Sequence, residues 1–194
     1  MLFHNGTIFD GNALLPAEWA LLVDGDRIAA LRDCGGVGHV EIAVRDACNS
    51  GRLLGPTLRV AGRCICVTGG TNAAVARVAD GPTDIVKAVR EQAHAGCDCI
   101  KLMATGGVLS PGTDVDDAQY TQAELEAGVA EARRFGKPVA THAIGAAGIL
   151  NAARAGVDSI EHGVFLTAER SHHRGVFKDG VGVPQRLPLA LMRG

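Results

Sequence analysis

Three polar residues stand at corresponding places in three apolar segments. Lys101 interrupts Ile100-Lys-Leu-Met103, His142 closes Val139-Ala-Thr-His142, and His162 closes Ile160-Glu-His162. A lysine inside a buried-type strand is costly unless its charge is paired, used or removed. Neutral imidazoles are the commonest ligands of zinc-like divalent cations. An ammonium joins such a site only after losing its positive charge, and carboxylation by carbon dioxide to an anionic carbamate does that. Singly, each histidine also fits as a satisfied core or rim imidazole, and the lysine as an amine snorkelling to a strand end. Jointly, at three successive strand ends, they point to a metal site built from Lys101, His142 and His162. Lys101 followed by Ala104-Thr-Gly-Gly107 also suits a Schiff-base aldolase, with the glycine turn holding a phosphate. A third reading is a non-catalytic fragment with open strand edges prone to self-association.

The elements that must position these residues are legible around them. Gly81-Pro-Thr-Asp84 starts a helix with Ile85, Val86, Val89 and Ala93 on one face and Gly96 at its end. Thr121-Gln-Ala-Glu124 is a capping box that opens a second helix, closed by Gly136. A third runs from about Ala146 to Gly156, with Ile149, Ala152 and Ala153 inside. Each glycine leads into a short apolar strand, the repeat of a parallel sheet or barrel, whose site lies at the carboxyl ends of the strands. One detail resists. Lys101 is the fifth residue after its glycine, whereas His142 and His162 are each the sixth. Equal registers would turn the lysine away from both histidines. Strand stagger or a one-residue loop difference would restore it.

The N-terminal part reads differently. Ala20–Leu31 holds two apolar runs around Asp24-Gly25, a hairpin signal, and Leu2–Phe9 alternates as one further strand. The expected organisation is a small β element over residues 1–31, an α/β part over 32–170 and an irregular tail over 171–194. Among the minor signals, Thr105-Gly106-Gly107 reads as a strand-end turn with backbone N–H groups that could serve an anion. Asp114, Asp116 and Asp117 read as a solvated loop.

Composition sets the limits. The chain has 194 residues, 19 basic against 21 acidic for a formal charge of −2, and 47% hydrophobic residues. That balance argues against a nucleic-acid or membrane-surface partner and against disorder. No apolar run reaches the ~18 residues of a membrane span. The stretch Ala13–Val23 is broken by Pro16 and Glu18 and does not read as a signal peptide. Its 26 glycines are nearly twice the usual share of ~7%. Six cysteines in Cys-x-Cys pairs and singly, Cys34, Cys48, Cys64/Cys66 and Cys97/Cys99, lack zinc-knuckle spacing. They read as small buried residues of a cytoplasmic protein.

These motifs carry a resemblance. Ala20–Leu31, Arg32-Asp-Cys-Gly-Gly-Val-Gly38, Gly55–Arg63, Val67-Thr-Gly-Gly70, Ile100-Lys-Leu-Met-Ala-Thr-Gly-Gly107, Val139-Ala-Thr-His142 and Ile160-Glu-His-Gly163 follow one another over roughly residues 1–169. In this order they resemble the metal-dependent amidohydrolase superfamily, in its imidazolonepropionase-like and Xaa-Pro dipeptidase-like branch. The resemblance implies a partial, distorted TIM (β/α)8-type barrel with a small N-terminal β-sandwich. It implies that Lys101, carboxylated, bridges two divalent cations, zinc for choice, and that His142 and His162 bind the second. A metal-activated water would then cleave a C–N bond in an amide, cyclic amide or dipeptide. The implied partners are a small-molecule or dipeptide substrate and, where one forms, a second copy of the chain. The family's His-x-His pair is absent from this sequence, Thr71-Asn72 follows Thr68-Gly-Gly70 where His-Gly is usual, and the last-strand aspartate is not found after His162. The expectation is therefore a deleted or truncated member whose metal site is incomplete.

Overall fold

The computed structural model describes residues 30–165 in full and, before them, the backbone of short strand segments within residues 2–29. The expected tail over 171–194 lies outside the described residues. Strand segments β1 (Leu2–Phe3), β4 (Ala20–Asp24), β5 (Arg27–Arg32) and β6 (Thr57–Arg59) form one sheet in the order β1-β4-β5-β6. The hairpin signal is met, since β4 pairs antiparallel with β5 and Asp24 stands opposite Arg27. The single strand expected over Leu2–Phe9 is instead two segments. β1 pairs with β4, whereas β2 (Ile8–Phe9) pairs with β3 (Leu14–Leu15).

A second sheet carries the candidate residues. Its strands β7 (Ile65–Cys66), β8 (Arg77–Val78), β9 (Ile100–Met103), β10 (Val139–Ala143) and β11 (Ser159–His162) lie in the order β11-β10-β9-β7-β8. All its pairings are parallel. Helices α2 (Gly81–Ala95), α3 (Gln122–Arg134) and α4 (Ala146–Ala155) provide the returns, as the sequence periodicity predicts. Another helix, α1 (Val40–Asn49), has no fully buried residue. Its apolar residues Val40, Ile42, Val44 and Ala47 are half-buried or exposed.

Local chemistry fixes the helix ends. Pro82 occupies the first turn of α2, and Gly96 ends it in the left-handed region at φ 96°. The capping box at α3 is complete: the Thr121 hydroxyl accepts from the Glu124 N–H, and the Glu124 carboxylate accepts from the Thr121 N–H. Glu124 also accepts from the Gly81 N–H at 3.0 Å, which ties the starts of α2 and α3 together.

One face of the sheet packs on the helices. Ile65, Ile100, Leu102 and Ala104 meet Ile85 and Val89 of α2, Leu125, Val129 and Ala132 of α3, and Ile149 of α4. The other face gathers Cys64, Cys66, Ala76 and Met103 into a smaller apolar cluster. Odd and even strand positions thus serve two different environments. All six cysteines are free, and five are buried, with Cys48 half-buried. Burial pushes the Cys66 and Cys97 thiols up to about 11, so neither is a thiolate at neutral pH. No described helix is long and apolar enough to cross a membrane.

Candidate functional site

Strand pairing settles the register question. Lys101 lies opposite Ala140, and Ala140 opposite Ser159. The next row on the same face is Met103, His142 and Glu161. Counted from the preceding glycine, Lys101 is fifth, Ala140 fourth and Ser159 third, so each strand is offset by one residue from its neighbour. The three residues Cys97–Cys99 before β9, against two before β10, supply the first offset. Lys101 and His142 therefore share a face, one pleat repeat (roughly 7 Å) apart along the strand direction.

His162 is the residue out of register. It pairs with Ala143, whose side chain belongs to the helix-facing core. Its backbone, however, takes a left-handed φ of 79°, one of three such non-glycine residues among those described. That conformation ends β11 and breaks the alternation of side chains. The His162 ring consequently meets the His142 ring edge-on, with centroids 4.8 Å apart and planes 73° apart. A strained backbone at a side chain that touches a candidate site has a cost of order 1–3 kcal/mol, and such costs concentrate where function requires them.

The environment of the group is dry. Lys101 is fully buried, His142 is 5% exposed, and among the described residues the Lys101 Nζ and His142 Nδ1 have no hydrogen-bond partner. Burial, together with the charges of His162 and Lys101, lowers the His142 pKa to about 4, against the opposing effect of its bond to Gly106. His142 is thus a neutral imidazole at pH 7. Its Nε2 lies 3.0 Å from the carbonyl oxygen of Gly106. A carbonyl only accepts, so Nε2 carries the proton and Nδ1 the lone pair.

Two further residues escaped sequence reasoning. Glu161 and Arg32 are buried and form an ion pair at 2.6 Å, and Ser159 donates to the same carboxylate oxygen at 2.9 Å. Burial pushes the Glu161 pKa up, but the positive charges of Lys101 and Arg32 and the bonds from Ser159 and Arg32 outweigh it and hold the carboxyl below its ordinary range. The partners lie 129 positions apart in sequence, so no local spacing announces the pair. The available signal was a charged residue inside the buried-type strand Ser159-Ile-Glu161, which demands a partner.

Among the described residues no group of three or more His, Cys, Asp and Glu side chains is arranged to hold an ion. What the fold brings together is a neutral imidazole, a second imidazole against it, and a buried amine; the His142 Nδ1 and the amine make no hydrogen bond among the described residues. Imidazole nitrogens and a carbamate oxygen are ligand types that suit a zinc-like ion. The turn after β9 offers no anion cradle. The Gly106 N–H donates to the Asp117 carbonyl at 3.2 Å and the Gly107 N–H to the Thr113 hydroxyl at 3.1 Å. This removes the phosphate seat on which the aldolase reading depended. Asp114, Asp116 and Asp117 are exposed, as expected of a solvated loop.

The chain is 31% identical over 177 residues to ochratoxinase of Aspergillus niger, a match covering 78% of this chain and 36% of that enzyme. The solved structure of a Xaa-Pro dipeptidase with methionine bound in its active site superposes with a TM-score of 0.68 at 40% identity. That alignment covers 74% of this chain and 39% of the dipeptidase. The crystal structure of A. niger ochratoxinase gives a TM-score of 0.66 at 31% identity, over 74% of this chain and 38% of that one. The chain thus spans between a third and two fifths of the length of these relatives. The model of the amidohydrolase family matches residues 31–185, a stretch that holds all three candidate strand ends, and the chain accordingly belongs to the amidohydrolase family of hydrolytic enzymes.

Proposed function

We propose that the chain carries the amine-and-imidazole part of a metal-dependent hydrolase that cleaves a C–N bond in a small amide, cyclic amide or dipeptide. The observation that carries this reading is the buried Lys101 Nζ, on the same face as His142, a neutral imidazole; among the described residues neither this Nζ nor the His142 Nδ1 makes a hydrogen bond. His142 and His162 hold the cation, zinc for choice, and Lys101 serves as its carbamate. To form it, the neutral amine makes an N–C bond to carbon dioxide and releases one proton. When bound, a divalent cation supplies Lewis-acid polarisation of a substrate carbonyl and makes a water acidic enough to react near neutral pH. The relatives' printed names, an ochratoxinase and a Xaa-Pro dipeptidase, support an amide-type substrate. In this reading residues 32–170 are part of a distorted (β/α)8 barrel and residues 1–31 begin a small β-sandwich. The protein works in the cytoplasm, and a second copy is its expected macromolecular partner. Because the sequence has no His-x-His pair, turnover by this chain alone is expected to be weak or absent.

Metal content tests the proposal. Purified protein offered zinc is expected to retain about one ion per chain, and the His142→Ala/His162→Ala double variant none. An empty wild type, or equal metal in both, overturns the site. Borohydride trapping with a carbonyl substrate covers the aldolase alternative: an adduct at Lys101 would establish Schiff-base chemistry instead.

A further inference from the structure

Beyond the three candidate ligands, the strand-end turn after β9 has a buried side chain whose bonds all converge on His142. Thr105 is fully buried. Its hydroxyl accepts from the Ile144 N–H at 3.1 Å, beyond the end of β10, and donates to the Gly106 carbonyl at 2.9 Å. That same carbonyl faces His142 Nε2 at 3.0 Å. Thr105 is itself held from behind, because the Thr71 hydroxyl donates to its carbonyl at 2.9 Å. The position is crowded on every side. A Cβ on Gly106 would lie 1.9 Å from the Asp114 carbonyl oxygen, and a Cβ on Gly148 would lie 2.2 Å from the Thr105 methyl. The Gly106 carbonyl lone pairs are shared between the threonine hydroxyl and the imidazole.

We infer that Thr105 is a positioning residue, which aims the Gly106 carbonyl so that His142 is held as the Nε2–H tautomer with the Nδ1 lone pair presented to the site. A neutral imidazole in water populates both tautomers and turns freely about its side-chain torsions. Here a fixed acceptor at Nε2 selects one tautomer and one ring orientation before any cation arrives. The importance of this selection rests on the reading of His142 as a ligand. The tautomer itself does not, and it is measurable without metal.

The test is long-range 15N–1H NMR on chelator-treated protein labelled with 15N-histidine, with His142 assigned by its disappearance in His142→Gln. Wild type and Thr105→Ser, which keeps the hydroxyl, are expected to show a protonated Nε2 and a lone-pair Nδ1. Thr105→Val, which keeps the shape without the hydroxyl, is expected to show mixed tautomers and zinc affinity weaker by about tenfold. A wild type protonated at Nδ1, or a Thr105→Val protein with an unchanged tautomer, overturns the inference. Should Thr105→Val fail to fold, Thr105→Ala, which removes the hydroxyl without adding bulk, is read in its place: mixed tautomers support the inference and an unchanged tautomer overturns it. If the tautomer depends on the Thr105 hydroxyl while zinc binds none of these proteins, the positioning role stands and the proposed metal site falls.

Discussion

His142 and Glu161 stand side by side on neighbouring strands, and both tie stability to pH in the same direction. The folded protein keeps His142 neutral down to about 4, whereas an unfolded chain protonates it near ~6.5. Between those values the unfolded state binds more protons, so stability falls as pH falls through that window. The loss expected from this residue is on the order of 3 kcal/mol by pH 4. Glu161 contributes stability that is present above its unfolded pKa and lost as pH drops through its lower folded value. Urea unfolding of chelator-treated protein between pH 8 and pH 4 should therefore show the midpoint falling from about pH 6.5 downward. His142→Gln should remove most of the loss above pH 5. A wild-type midpoint that is flat from pH 7 to pH 5 would show that His142 is not held neutral.

Among the elements, α3 depends on its first turn more than on its propensity. Glu124 closes the capping box and also accepts from the Gly81 N–H at the start of α2. Thr121→Ala is expected to cost about 1 kcal/mol, the usual loss of a cap. Glu124→Ala should cost more, because it also strands the Gly81 N–H, and the difference should show as an earlier thermal midpoint. Equal midpoints would mean that the link between the helices carries no free energy. The cap itself was legible in the sequence because its chemistry spans only four residues, and the helix ends were legible because glycine follows each. The facing of the strands was not. Lys101 and His142 share a face because loop lengths differ by one residue, and His162 joins them through its own backbone angle. Neither a register between strands nor a single φ leaves a periodic trace in a sequence.

For the whole molecule, the two faces of the five-stranded sheet divide stability from chemistry. Leu102 is fully buried in the helix-facing core, and its side chain points away from Lys101 and Met103. Leu102→Ala is expected to cost about 2–5 kcal/mol. Zinc retained per folded chain should be unchanged, as read by denaturant melts beside metal analysis on the soluble fraction. Loss of metal without loss of stability would place Leu102 in the wrong compartment. The parallel order of strands and helices was legible as a repeating glycine-to-strand step. The Arg32–Glu161 ion pair was not, because it joins the end of β5 to a strand more than a hundred residues later.

The one-residue offset between successive strands has a consequence for descent and for engineering. Side chains alternate with period two, so the length of the loop Cys97–Cys99 sets which face of β9 Lys101 takes. Deleting one residue from Cys97–Cys99 would turn Lys101 toward the helices and Leu102 toward the site, inverting the strand without changing a single strand residue. An odd-numbered insertion in Cys97–Cys99 is expected to cost Lys101 its place on the face of His142, whereas an even-numbered one keeps it.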